Sequence, residues 1–389
     1  MRAPSSLLLI TTLLILSACA SMGPTPAAPT VTPAVTRSVA SASVAASPTV
    51  TATRPPTALP IPTAITPAKA TPIPQPVLLA PDTVQDLRQI GKLSVAGPLP
   101  INDFAWTPDG AYLVLPVLAE TGDRSLLAWY EARTLSPVVP PDEIQGSRVL
   151  FSPDGQLMAV SHSGLGEDHL EVRRGEDGRV VQTVTGFFYG IHALAFSPDG
   201  RLLAMANGNA TVRLVEVQSG LVLYELKVPY QGTHAPLLQD VAFSPDGRLV
   251  AGAAYGGVVQ VWRTSDGRPV TTIHTGVTQP NAVVFLDAGR LATTGFLGGN
   301  VWRLDGAPEA DLPSEDNLRD LELSPNGRLL AVVEKDGVTF WDTATLKKVH
   351  RIKSIAPLRL RFSPDGTRLA VVGGEKRDTI AIWQVKIPP

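Results

Sequence analysis

One short phrase returns along this chain and constrains it more than any other feature. LAFSPDGRLLAMA starts at Leu194, VAFSPDGRLVAGA at Val241, VLFSPDGQLMAVS at Val149 and LRFSPDGTRLAVV at Leu360. Weaker copies carry TPDG at Thr107, SPNG at Ser324 and LDAG at Leu286. The seven glycines are Gly110, Gly155, Gly200, Gly247, Gly289, Gly327 and Gly366, separated by 45, 45, 47, 42, 38 and 39 residues. Ser-Pro-Asp-Gly is turn chemistry. Proline presets φ at the second position, aspartate tolerates the third, and glycine closes the corner.

Around each corner the pattern is that of strands. A short apolar run such as VAF precedes it, and a small apolar run such as RLLAMA follows, as expected of a strand buried on both faces. A third strand reads TVRLVEV, VVQVWRT, GVTFWDT or TIAIWQV, and a fourth LVLYELKV or RPVTTIHT. Four short strands in a period of 40–45 residues is the signature of a β-propeller blade. The expected fold is therefore all-β, with seven four-stranded antiparallel blades. The last unit stops after TIAIWQV, which would leave an unpaired edge. Residues 86–95 read like a fourth strand and are expected to pair with 379–385, closing the ring inside the last blade.

The units resemble the WD40 family. Trp129, Trp262, Trp302, Trp341 and Trp383 fall at or beside that family's third-strand tryptophan, and Trp341-Asp342 is a literal WD pair. The resemblance covers residues 86–389. The family's Gly-His pair is mostly missing, with His234 alone at the right distance, so its hydrogen-bond tetrad should be absent from most blades. The resemblance implies a non-catalytic platform for a protein or ligand. Two other readings stay open: a propeller enzyme of lactonase or hydrolase type, and an envelope partner protein of TolB type.

The first residues, MRAPSSLLLITTLLILSACA, have the charge, apolar run and small residues of a secretory signal, too short to cross a membrane comfortably. Leu16-Ser17-Ala18-Cys19 resembles the lipobox of bacterial lipoproteins, which implies cleavage before Cys19 and its lipidation. Cys19 is the only cysteine, so no disulfide can form within one chain. Between residues 20 and 76 lie 13 Pro, 13 Ala and 11 Thr, with no aromatic residue. Such a segment buries too little apolar area to offset its ordering entropy, and stretched out it would reach about 175 Å. The expected organisation is a signal over 1–18, a lipidated tether over 19–76 and a propeller over 77–389. The chain would sit at the bacterial cell envelope, facing periplasm or exterior, as a monomer held to the membrane by lipid, its partner an envelope protein or polymer.

With 33 basic and 35 acidic side chains and a net charge of −2, the chain lacks the basic stripe that nucleic-acid binding needs. The six histidines are expected to lie in different units, with no HExxH and no paired metal spacing, and neither a G-x-S-x-G elbow nor a P-loop is present. No catalytic residue, metal or cofactor is expected. Two surfaces stand out. First strands line the channel in the family, and the residue three before each first-strand aromatic, or its equivalent, gives Asp103, Arg148, Ala193, Asp240, Ala282, Asp320 and Arg359, with Glu322 and Arg361 two places on. Alternating sign across the closure reads either as an ion-pair belt or as a charged mouth for a small ionic ligand. Loops between blades carry Phe187, Phe188, Tyr189, Tyr230 and His234, with Tyr255 nearby. These read either as a partner-binding face or as fillers between blades.

Overall fold

The computed structural model describes residues 77–95, 103–119, 125–138, 143–162, 168–187, 190–230, 236–276, 279–314, 316–354, 356–375 and 378–386. The signal, Cys19 and the tether lie outside them. Seven four-stranded antiparallel sheets follow one another along the chain. Blade 1 comprises Ala105–Trp106, Tyr112–Leu118, Ser125–Glu131 and Pro137–Val138, and blade 2 comprises Arg148–Phe151, Leu157–His162, Asp168–Arg174 and Val180–Phe187. Blades 3 to 6 begin at Ile191–Phe196, Leu238–Phe243, Pro280–Phe285 and Asp320–Leu323. Blade 7 holds Arg359–Phe362, Arg368–Gly373 and Thr379–Val385, and its outer strand is Leu87–Ser94, which pairs antiparallel with Thr379–Val385.

First strands of neighbouring blades touch one another, so they line the centre. Between blades the sheets stack through apolar side chains. Seven buried clusters occur among the described residues, each shared by two adjacent blades. The cluster between blades 7 and 1 joins Phe104, Trp106 and Leu113 to Ala370, Ile380 and Ile382, which completes the circle. Each fully buried Leu, Val or Phe contributes about 1.5–3 kcal/mol. Small residues such as Ala204, Ala206, Ala251 and Ala253 let the second strands approach closely.

The repeated corner explains itself. In six units the glycine N–H donates to the carbonyl of the first turn residue at 2.7–2.9 Å, and the glycine takes φ of 67–73°. That φ is unfavourable for residues with a Cβ. The turn hydroxyl donates to the side chain two places on, as from Ser197 to Asp199 and from Ser244 to Asp246 at 2.6 Å. The same oxygens accept the amides of Leu202 and Leu249. In the degraded fifth corner Leu286 has no such hydroxyl, and Asp287 instead binds the Gly289 amide and Arg290.

Because strands alternate in direction, the Ser-Pro-Asp-Gly corners and the turns between third and fourth strands share one face of the ring. The second-to-third hairpins and the blade-to-blade loops share the other, called here the loop face. On the corner face, residues 78–87 pack between blades 6 and 7. Leu79 is wholly buried there with Val84 and Leu87 against Leu329, Phe340, Phe362 and Leu369.

Candidate functional site

The channel residues form a connected chain of charge. Arg148 Nη1 lies 3.9 Å from Asp103, Arg361 is 3.2 Å from the other Asp103 oxygen and 3.5 Å from Asp320, and Arg359 is 3.0 Å from Asp320. The order is Arg148, Asp103, Arg361, Asp320, Arg359. One detail corrects the expected order: the contact to Asp103 across the closure comes from Arg361, not Arg359. Arg361 sits two places further along the strand, so its side chain shares a face with Arg359 and can span to blade 1.

Several of these side chains also hold the backbone of the next blade. Asp320 accepts the Leu360 amide, Glu322 the Phe362 amide, and Asp240 the Val283 amide, each at 2.9–3.0 Å. Arg148 donates to the Ile191 carbonyl, and the Trp106 indole donates to the Arg361 carbonyl. Asp320 is 3% exposed and Arg361 26%, so the chain is sunk in the channel but not dry. Burial pushes the Glu322 carboxyl up to about 8 and that of Asp240 up to about 6. The Asp103 and Asp320 carboxylates hold Arg361 firmly charged despite its burial. With Glu322 protonated at neutral pH, three guanidinium groups face three carboxylates. Such a balanced set has little net field to offer an ionic ligand, and its partners are already in place.

On the loop face the candidates separate. Phe187 is 2% exposed, lies in the cluster between blades 2 and 3, and carries the Arg213 guanidinium 4.9 Å above its ring. It is a core side chain and leaves the candidate face. Phe188, Tyr189 and His234 lie outside the described residues. Tyr230 and Tyr255 are both about half exposed, and the Tyr255 hydroxyl accepts from Gln279 at 2.6 Å. The sequence reading passed over their neighbours. Leu237, whose carbonyl accepts the Tyr255 amide, is exposed, as are Phe296 and Leu297 at the matching hairpin of blade 5. Leu297 is 58% exposed and adopts φ of 65°, where blade 4 uses Gly256 and Gly257. A leucine there costs roughly 1–2 kcal/mol.

A third group corrects the expectation that the histidines lie apart. His162 and His169 are cross-strand partners in blade 2, and their rings stack at 4.3 Å and 5°. Glu171 follows on the same face. Its Oε2 is 2.9 Å from His162 Nε2 and receives two bonds from Arg173, at 2.8 and 2.7 Å. Burial lowers the His162 pKa, which favours neutral imidazole. These three residues are the one set among those described whose ligand atoms gather, within 4.8 Å, closely enough to hold a metal ion. The signal was a histidine on each side of one hairpin loop, readable only once the strand register is known.

Comparison with known families adds to this geometry. Residues 149–233, which span nearly all of blade 2 and the whole of blade 3, match the anaphase-promoting complex subunit 4 WD40 domain. Residues 226–263, which run through the third strand of blade 4, match the WD domain, G-beta repeat. The ring is a seven-bladed β-propeller whose residues 149–263 are similar to WD40 domains. No curated protein matches the chain. The tryptophans behave unevenly around the ring. Trp302 donates to Thr293 at 3.0 Å, while the buried indole nitrogens of Trp129 and Trp383 have no hydrogen-bond partner.

Proposed function

We propose that this chain is a non-catalytic interaction platform, held at the cell envelope by lipid on Cys19 and presenting the loop face of blades 4 and 5 to a protein or polymer. One observation carries the reading. Tyr230, Leu237, Tyr255, Phe296 and Leu297 are large, mostly apolar and exposed on one face, and Leu297 stays in a strained backbone region while more than half exposed. Stability given up to hold an apolar side chain in solvent marks a contact surface. Tyrosine adds contact area at low entropic cost.

The test separates surface from core. Leu297→Asn relieves strain, because asparagine tolerates this conformation. It should leave stability unchanged or raise it by about 0.5–1 kcal/mol in urea unfolding. Together with Tyr255→Ala it should remove specific partners from envelope proteins captured on the full chain. An unchanged set of captured partners would defeat the reading. The anchoring part is tested by metabolic labelling with a palmitate analogue: label should be incorporated and vanish in Cys19→Ser.

The enzyme reading keeps one support, the His162, His169 and Glu171 group. Stoichiometric zinc binding lost in His169→Ala would favour it over the platform.

A further inference from the structure

The corner face contains two equivalent sites between blades, one filled and one open. Aligning the corners pairs Tyr112, Trp129, Phe151 and Met158 of blades 1 and 2 with Leu329, Phe340, Phe362 and Leu369 of blades 6 and 7. The second four all pack against Leu79 in the slot between blades 6 and 7. There the chain lies across the ring edge as a ligand would. The Leu79 amide donates to the Gly366 carbonyl at 2.8 Å, Asn326 donates to the Leu79 carbonyl at 2.9 Å, and Asp82 lies 3.5 Å from Arg328. The first four line an open cleft of about 980 Å³.

The cleft is open for a definite reason. In blades 2 and 3 the outer-strand residue opposite the Trp129 position reaches the next blade. Gln182 of blade 2 donates to the Gln218 carbonyl, and Tyr224 of blade 3 donates to the Ser265 carbonyl. In blade 1 that residue is Val138 of the strand Pro137–Val138. Its side chain is too short to cross, and it stays exposed opposite exposed Val181. The rim differs in charge from the filled slot. Asp109 stands where Asn326 does, and Ala111 stands where Arg328 does. Asp154, Glu176 and Asp177 add acid, while the lining's one cation, Arg174, is paired with Asp177 at 3.4 Å.

We propose that the slot between blades 1 and 2 docks an extended segment of another protein, with an aliphatic side chain followed three residues later by lysine or arginine. The aliphatic group takes the place that Leu79 holds in the filled slot. The basic group replaces Asp82, because the facing charge is reversed. This deepens the platform reading but uses a different surface, so Leu297→Asn should leave it untouched, and the two can fail separately.

The probe is a fluorescein-labelled peptide, Val-Leu-Leu-Ala-Pro-Lys-Thr, which is the chain's own 77–83 with lysine for Asp82. Anisotropy on the full chain should saturate. The same peptide with aspartate should bind at least about fivefold more weakly, since only the charge facing an acidic rim has changed. Val138→Tyr, which copies Tyr224 and closes the cleft, should fold and weaken binding at least about tenfold. Val181→Arg, at an exposed position, should act in the same direction by adding like charge beside the peptide's lysine. Failure to saturate would overturn the proposal. So would binding that neither variant affects, which would place the peptide in the slot between blades 6 and 7. Sedimentation that turns a wild-type dimer into a monomer in Val138→Tyr would identify a second copy as the occupant and equally overturn it.

Discussion

Asp320 faces two guanidinium groups and a backbone amide while almost wholly buried. Replacing it by asparagine keeps the shape and removes the charge, leaving Arg359 and Arg361 sunk in the channel with half their compensation. Unfolding in urea should show Asp320→Asn destabilised by about 3 kcal/mol, since breaking one side of a buried pair strands the other charge. A change below about 0.5 kcal/mol would mean that water in the channel already satisfies both arginines. At this scale the sequence was readable where chemistry is local. Ser197 and Asp199 bond two residues apart, so their spacing shows in the letters. Arg361 meets Asp103 across 258 positions. Their shared place in the repeat put both on the channel, but which arginine reaches which aspartate depends on side-chain length and the tilt of neighbouring blades.

Individual strands carry a second lesson. The closing strand Leu87–Ser94 covers the edge of Thr379–Val385, and the segment before it fills the slot beside blade 6. Truncation through residue 95 should therefore leave an open edge and an empty apolar slot. A fall in melting temperature of more than 10 °C with aggregation is expected in scanning calorimetry with light scattering, on the order of several buried side chains lost. Leu79→Ala alone should cost about 2–4 kcal/mol. The closing strand could be read from its alternation and from the missing fourth strand of the last unit. The plug at Leu79 could not, because LLAP looks like the end of a linker until the slot that receives it is known. His162 and His169 were missed for the same kind of reason: the register of Leu157–His162 against Asp168–Arg174 decides whether they align.

Across the whole molecule, the belt makes stability depend on pH. Glu322 titrates near 8 in the folded ring and near 4.5 when unfolded, so between those values the folded state holds an extra proton. Stability from this group is fully present below about 4.5 and is lost as pH rises through about 8. Asp240 adds the same trend between 3.8 and about 6. Arg361 opposes it by favouring the Glu322 carboxylate. Denaturant midpoints of wild type and Glu322→Gln should therefore agree near pH 4.5 and diverge by pH 8.5, with the glutamine form more stable by about 1–2 kcal/mol. Glutamine can still accept the Phe362 amide. A gap of opposite sign would show that the carboxylate stays ionised and paired. Ring order and blade number were legible because identical corners at near-constant intervals leave one closed arrangement. The candidate site was legible only in part. Tyr230 and Tyr255 stood out by type, but Phe187 looked the same and proved to be core, because exposure is decided by the neighbouring blade.

The route by which the chain enters the ring governs how tension would reach it. Any pull arriving through residue 77 meets Leu79 and its bonds to Gly366 and Asn326 before it meets the ladder of the closing strand. Two aliphatic side chains, Leu79 and Val84, must be drawn into water before that seam is loaded. The segment thus works as a cleat ahead of a zip. A propeller hung from its amino-terminal end is protected from being peeled open at the blade where its two ends meet.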